Sequence, residues 1–193
     1  MNLLVLGPQG AGKGTQAKRI AADYAIPHVS TGDMFRAAIA ARSELGLKVE
    51  PILASGALVP DGITVALIKE RLAETDAQRG FILDGFPRNE AQAVELDEML
   101  AGIGRRLDAI LFLDLPDEVA TERMLLRAED ENRPDDTPEV IAKRLATYHA
   151  ETEPIVEHYR LTGRLVPLHA ERTIPEVYAE IQDALEAIDG GAA

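Results

Sequence analysis

Residues 3–15 read LLVLGPQGAGKGT, an apolar run that breaks into a glycine-rich loop. The spacing from Gly7 to Lys13 fits the G-x-x-x-x-G-K part of the phosphate-binding loop pattern. The lysine is followed by Gly14, so the hydroxyl arrives one position late, at Thr15. Such glycines let backbone N–H groups line an anion nest, and the lysine adds a charge for the outer phosphates. A glycine-rich turn without a ligand is the alternative, but the apolar strand before the loop and the amphipathic helix after it favour phosphate binding.

Composition limits the class of protein. The chain has 193 residues, of which 46% are hydrophobic and 27% charged, as expected for one globular domain. It contains no cysteine, which excludes a disulfide framework and a cysteine-based zinc site. The four histidines are scattered, and we interpret them as structural or surface residues in preference to metal ligands.

Charge and hydropathy bear on partners and location. A net charge of −13 argues against nucleic acid as a partner, and it requires a phosphate-binding protein to concentrate its arginines locally. No stretch approaches the roughly 18 apolar residues of a membrane span, and the N-terminal apolar run ends in glycines, unlike a signal peptide. We expect a cytoplasmic protein without a membrane partner, and a monomer.

Short apolar runs alternate with longer helical patterns, which predicts an α/β fold with a central five-stranded parallel sheet flanked by helices. The predicted strands are Asn2–Leu6, Pro27–Ser30, Gly80–Asp84, Leu107–Leu115 and Arg164–His169. The predicted helices are Lys13–Tyr24, Asp61–Thr75, Asn89–Ala101, Asp117–Arg127, Pro138–Leu161 and Ile174–Ala187. Two further helical pieces between Thr31 and Pro60 predict a lobe beyond the sheet. Right-handed crossovers would bring the strand C-termini to one edge, where open α/β sheets bind ligands.

The third predicted strand ends in a carboxylate, Asp84, directly before Gly85. In phosphate-binding-loop proteins, an aspartate there holds Mg²⁺, usually through coordinated water, opposite the loop hydroxyl. That hydroxyl would belong to Thr15. An aspartate that merely ends a strand in a turn is the alternative, and the glycine-rich loop makes the metal site the better interpretation.

Five motifs in register resemble adenylate kinase, a nucleoside monophosphate kinase, from residue 1 to about 185. They are GAGKGTQ at 10–16, STGDMFR at 30–36, LVPD at 58–61, LDGFPR at 83–88 with Gln92, and RPDD at 133–136 with Arg144. The resemblance implies a single domain with a core (1–29, 60–125 and 137–193), an NMP-binding lobe (30–59) and a short lid (126–136). It implies Mg-dependent phosphoryl transfer from ATP to AMP, giving two ADP, in adenine nucleotide homeostasis and purine salvage.

The resemblance also implies the site residues. Those expected to take part in catalysis are Lys13, Arg88, Arg123, Arg133 and Arg144. Those expected to bind ATP are Gly10, Ala11, Gly12, Lys13, Gly14, Thr15, Arg123, Arg127 and Arg172. Those expected to bind AMP are Thr31, Arg36, Ala57, Leu58, Val59, Gly85, Phe86, Pro87, Arg88, Gln92, Arg133 and Arg144. Arginine suits these roles because its planar fork of donors grips phosphate oxygens and stays charged.

The acceptor is predicted from the side chains around the phosphate sites. An arginine-rich site without an evident aspartate or histidine base suits an acceptor that is already anionic, such as a nucleoside monophosphate. The resemblance implies that Gln92 contacts the base, and a glutamine amide, which can both donate and accept, suits a purine edge. A UMP/CMP kinase of the same fold, or a non-catalytic ATP-sensing module, are the alternatives. The chain departs from the family at Gln9, where proline is common, and at Gly62, where glutamate is frequent. Its short lid excludes a zinc-binding one.

Overall fold

The strands form one parallel sheet in a computed structural model of the protein, which describes residues 1–130 and 136–190. The strand order is β2-β3-β1-β4-β5, and each neighbouring pair is parallel. The strands are β1 (Asn2–Leu6), β2 (His28–Ser30), β3 (Phe81–Asp84), β4 (Ala109–Asp114) and β5 (Leu165–His169). The predicted α/β class is confirmed, and four of the predicted strands are slightly shorter in the structure.

Helices cover both faces of this sheet. They are α1 (Lys13–Asp23), α2 (Thr31–Ala40), α3 (Glu44–Ala54), α4 (Asp61–Leu72), α5 (Glu90–Gly102), α6 (Asp117–Asp130), α7 (Pro138–Thr147), α8 (Pro154–Arg160) and α9 (Ile174–Gly190). Alternate residues of β1 point to opposite faces: Leu3 and Val5 pack with α1, α6 and α9, whereas Leu4 and Leu6 pack with α4, α5 and α8. All four of these side chains are buried, as expected for a central parallel strand.

The predicted helix Pro138–Leu161 is wrong as a single element. Helix α7 ends at Thr147, a π-helical turn covers Tyr148–Thr152, and α8 begins at Pro154. Proline has no backbone N–H to continue an α-helical ladder, and the Glu153 N–H instead donates to the Tyr148 carbonyl over 2.8 Å. The predicted helix Asp61–Thr75 also ends early, at Leu72, before a 3₁₀ turn at Thr75–Arg79.

Helices α2 and α3 form the expected pair beyond the sheet and enclose a small hydrophobic core, which includes Phe35, Val49 and Val59. Helix α4 also contacts this core, through Ile63 and Leu67. A Cβ atom at Gly46 would lie 2.1 Å from the Ala38 carbonyl oxygen, so the close crossing of the two helices requires glycine there. Serine residues cap both helices: the Ser30 and Ser43 hydroxyls accept bonds from backbone N–H groups in the first turns. Within residues 1–130 and 136–190, no helix is long and apolar enough to span a membrane.

Candidate active site

Four segments that follow strands meet at one edge of the sheet, because parallel strands present their C-terminal ends on the same side. The glycine-rich loop follows β1, Thr31 follows β2, Gly85 follows β3 and Leu115 follows β4. Sequence patterns alone predicted this convergence. The edge is therefore the candidate site, and the side chains around it define its chemistry.

The glycine-rich loop is wrapped around the amine of Lys13. Its Nζ donates to the carbonyls of Gly7 and Pro8 over 2.8 and 2.7 Å. Gly10 has a φ of +86°, and a Cβ atom there would lie 2.7 Å from the Ala120 carbonyl oxygen, so the loop needs glycine at this position. Burial lowers the pKa of Lys13 to about 8, although the nearby Asp84 carboxylate opposes the shift. A bound anion would relieve this desolvated charge.

Asp84 faces the loop from the end of β3. Its Oδ2 lies 3.3 Å from His28 Nε2, and a Cβ atom on Gly14 would be 3.4 Å from the same oxygen. Burial favours protonation of this carboxyl, but the hydrogen bond with His28 and the charge of Lys13 together hold the pKa of Asp84 below its usual value. The site therefore presents an anionic oxygen beside the segment that carries Thr15.

These oxygens fit Mg²⁺. Carboxylate and hydroxyl oxygens are the hard ligands that this ion prefers, and Asp84 and the exposed Thr15 supply one of each. No cluster of three or more acidic or histidine side chains that could hold a metal occurs in the described part of the chain. Protein oxygens would therefore share the ion with water and substrate phosphates, which is how Mg²⁺ is usually bound.

Arg88 is fixed by the turn that follows Asp84. Its Nε donates to the Gly85 carbonyl over 2.7 Å, and the Thr31 hydroxyl donates to the same oxygen over 2.8 Å. Burial lowers the pKa of Arg88, and the positive charges of Arg144 and Arg36 lower it further. The turn thus holds a guanidinium rigidly beside two other arginines.

Positively charged side chains cluster at this edge of the sheet. The amine of Lys13 is close enough to Arg88 and Arg127 for their charges to lower its pKa, and Arg88 is similarly affected by two more arginines. A chain with a net charge of −13 thus collects five positive side chains around the end of its sheet. Such a cluster is a binding site for several phosphates.

A cleft opens beside these arginines, between the α2–α3 lobe and the sheet. Six of the residues predicted for the acceptor site line it: Thr31, Leu58, Val59, Gly85, Arg88 and Gln92. Gly32, Phe35, Leu53 and Thr64 line it as well and were missed by the sequence analysis. The apolar positions of the lobe helices were the available signal for Phe35 and Leu53. Ala57 follows the turn at Ser55 and Gly56, and Phe86 and Pro87 are buried and joined by a cis peptide bond.

Asp136 is a site residue that the sequence analysis did not single out. Its side chain is fully buried and accepts bonds from Arg127 Nε and Nη2 over 3.0 and 2.7 Å, and from Arg144 Nη1. Arg144 also reaches the Leu53 carbonyl of the lobe, over 3.4 Å. The carboxylate therefore holds together an arginine assigned to the donor side and one assigned to the acceptor side.

Comparison with known proteins agrees with this geometry. Residues 5–164 match the sequence model of the family described as adenylate kinase. The adenylate kinase of Cyanothece sp. is 48% identical over 188 residues, covering 97% of this chain and 96% of that protein. That of Caulobacter vibrioides is 48% identical over 191 residues (99% and 100%), and that of Bifidobacterium longum is 47% identical over 186 residues (96% and 100%). The chain belongs to the adenylate kinase family.

Family membership confirms the predicted fold and makes the chain a phosphotransferase. Of the arginines that the adenylate kinase resemblance assigned to ATP, Arg123 donates to the carbonyls of Ala170 and Glu171 over 2.8 and 3.2 Å. Arg172, in contrast, is exposed, and its Nη1 lies 3.6 Å from a Glu180 carboxylate oxygen. Arg133, with residues 131–135 of the predicted lid, lies outside the described residues. The individual ligand assignments stay predictions.

A first test of the site concerns Gly85, whose φ is +77°. A Cβ atom there would lie 2.8 Å from the Thr31 hydroxyl and 3.1 Å from an Arg88 Nη atom. We expect Gly85→Ala to displace both side chains and to lower kcat/KM for the acceptor by at least about tenfold, because small misplacements of binding groups are costly. Steady-state kinetics measure this, with Gly104→Ala as a control at another positive-φ glycine that has open space around it. If Gly85→Ala and Gly104→Ala lowered kcat/KM equally, backbone strain alone would explain the effect.

Proposed function

We propose that the chain catalyses the reversible, Mg-dependent transfer of the terminal phosphoryl group of ATP to AMP, giving two ADP. The observation that carries this proposal is that positive side chains gather at both the glycine-rich loop and the neighbouring cleft. Lys13 and Arg127 lie on the side of the glycine-rich loop, and Arg36, Arg88 and Arg144 on the side of the cleft. A module that only sensed ATP would need the first set alone.

The proposed chemistry is a direct in-line transfer. An oxygen of the AMP phosphate bonds to the terminal phosphorus of ATP while the bond from that phosphorus to the bridging oxygen breaks. The attacking oxygen is already anionic, so the step needs charge neutralisation and alignment more than a general base. Arg88 and Arg144 would hold the acceptor phosphate, and Lys13 and Arg127 the donor phosphates.

Asp84 and Thr15 would hold Mg²⁺ in this reaction, through its coordinated water. The ion neutralises phosphate charge when it is bound with ATP. Asp84 remains ionised at neutral pH in spite of its burial, because its pKa is held below the usual value. The carboxylate is therefore ready to orient metal-bound water without first losing a proton.

We also propose that the enzyme works as a cytoplasmic monomer in adenine nucleotide homeostasis and purine salvage. The division into a core, an NMP-binding lobe at 30–59 and a short lid at 126–136 is likewise proposed. The small core between α2 and α3 supports the lobe. For the lid, α6 continues to Asp130, so its first residues are helical, and residues 131–135 are not described.

A substrate panel tests the function. We expect rapid ADP formation from ATP and AMP, and much slower turnover of CMP, UMP and GMP, in a coupled assay that follows the nucleoside diphosphate. A ligand with two adenosines joined by five phosphates should bind far more tightly than ATP or AMP, because linkage makes the second contact intramolecular. Preference for CMP or UMP would favour the pyrimidine kinase alternative. One nucleotide per chain in calorimetry, with no gain from the joined ligand, would favour the ATP sensor.

A further inference from the structure

Asp61 contacts the amide that lines the acceptor cleft. This residue begins α4, and its Oδ1 accepts a bond from Gln92 Nε2 over 2.6 Å and from Asn89 Nδ2 over 3.0 Å. On the opposite side of the amide, Gln92 Oε1 accepts a bond from the Arg88 backbone N–H over 2.8 Å. Gln92 is only 2% exposed although it lines the cleft. Both ends of the Gln92 amide are therefore held by the protein.

The two contacts leave one orientation for this amide. A carboxylate without a proton only accepts hydrogen bonds, so Asp61 must face the NH₂ end of Gln92. A backbone N–H only donates, so Arg88 must face the oxygen end. Turning the amide over would set the carboxylate of Asp61 against an oxygen and the N–H of Arg88 against an NH₂ group. The flip would therefore lose two hydrogen bonds and create two repulsive contacts.

The locked amide keeps one N–H and one oxygen lone pair for a ligand, since Gln92 has two of each. This pair is complementary to a base edge that carries a ring acceptor next to an amino donor, as adenine does at N1 and its 6-amino group. A 6-oxopurine presents the reverse pattern at the same two positions, an N–H donor beside a carbonyl acceptor. The two bases have nearly the same shape, so the orientation of the amide is what can tell them apart.

We propose that Asp61 is a positioning residue that sets the acceptor specificity: it holds the Gln92 amide in the orientation that accepts a 6-aminopurine monophosphate and rejects a 6-oxopurine monophosphate. This inference rests on the proposed function and deepens it. Asp61 acts through Gln92 and touches no reacting atom. The 58–61 motif thus has a reason for its aspartate beyond the start of α4.

The decisive experiment compares AMP with inosine monophosphate in the Asp61→Asn variant of the full chain. An asparagine can present either an oxygen or an NH₂ group to Gln92, so the acceptor-only constraint is lost while size and helix start are kept. We expect kcat/KM for AMP to fall about tenfold, kcat/KM for inosine monophosphate to rise, and the AMP preference to shrink by more than tenfold. The KM for ATP should stay unchanged. Asp76→Asn, at an exposed carboxylate that pairs with Arg71, is the matched control and should leave the preference intact.

Other outcomes are equally informative. A parallel loss for both acceptors, with their ratio unchanged, would reduce Asp61 to a structural residue and overturn the proposal. If Asp61→Asn fails to fold, Asp61→Ser removes the same constraint, because a hydroxyl can donate or accept. The ratio of kcat/KM for AMP to that for inosine monophosphate then tests the proposal in the same way. Calorimetric binding of the two monophosphates, without ATP, gives the preference independently of turnover. Wild-type protein that bound AMP selectively but formed no ADP would contradict the proposed reaction and leave the Asp61 assignment intact.

Discussion

Replacing Lys13 with alanine is expected to lower kcat by at least about a hundredfold while the fold is kept. The amine is held at the loop by the Gly7 and Pro8 carbonyls, where it can reach incoming phosphates. One preorganised charge contact in a transition state is worth about 10²–10³ in rate. Burial lowers the pKa of Lys13, so its charge gains little from solvation and its loss should not destabilise the fold. Coupled-assay kinetics and thermal unfolding measure the two effects.

The pH dependence of ATP binding gives this prediction a second readout. The Lys13 amine is charged below its pKa of about 8 and neutral above it, and phosphates bind the charged form. ATP affinity of the wild type should therefore fall as pH rises through about 8, whereas the Lys13→Ala variant should lack that step. Lys18→Ala, at an exposed lysine of the same helix, is the control and should retain both activity and the pH step. A Lys13→Ala enzyme that kept more than about a tenth of wild-type activity would contradict the role of the loop.

The sequence predicted the layout of the candidate site where local patterns and topology are sufficient. The glycine spacing around Lys13 and the strand that ends at Asp84 are local patterns, and the rule that parallel strands end at one edge brings them together. The arginines were predicted from the family resemblance. The charge of Arg88 lowers the pKa of Lys13, and the charges of Arg144 and Arg36 lower that of Arg88, which agrees with their convergence. These features could be predicted because they depend little on contacts between distant segments of the chain.

The parts that the sequence did not predict depend on contacts between distant segments. Asp136 and Asp61 look like ordinary polar residues at helix starts, and nothing in their spacing indicates that one bridges two arginines and the other holds Gln92. The π-helical turn at Tyr148–Thr152 was hidden because the apolar periodicity continues across it. Only the packed structure shows which hydrogen-bond acceptor contacts which hydrogen-bond donor.

Substitution of Arg88 by alanine is expected to lower kcat by orders of magnitude, with a smaller effect on the KM for AMP. Arginines that stabilise a transferring phosphoryl group contribute about 10³–10⁵ in rate. The Gly85 carbonyl orients this guanidinium through Nε, so its terminal nitrogens are presented in one plane. Those nitrogens donate no hydrogen bond to any of the described residues, which leaves them for phosphate oxygens. The charge should therefore act most where negative charge moves between donor and acceptor.

Two variants separate charge from geometry in this prediction. Arg88→Lys keeps the charge but loses the planar fork, and we expect it to recover only a small part of the lost kcat, because a single ammonium cannot hold two oxygens in a fixed plane. Arg160→Ala, at an exposed arginine that pairs with Glu157, is the control and should behave like the wild type. Single-turnover kinetics identify the affected step, since chemistry and not product release should slow. A modest rise in the KM for AMP with kcat unchanged would make Arg88 a binding residue, because only contacts that strengthen in the transition state raise kcat.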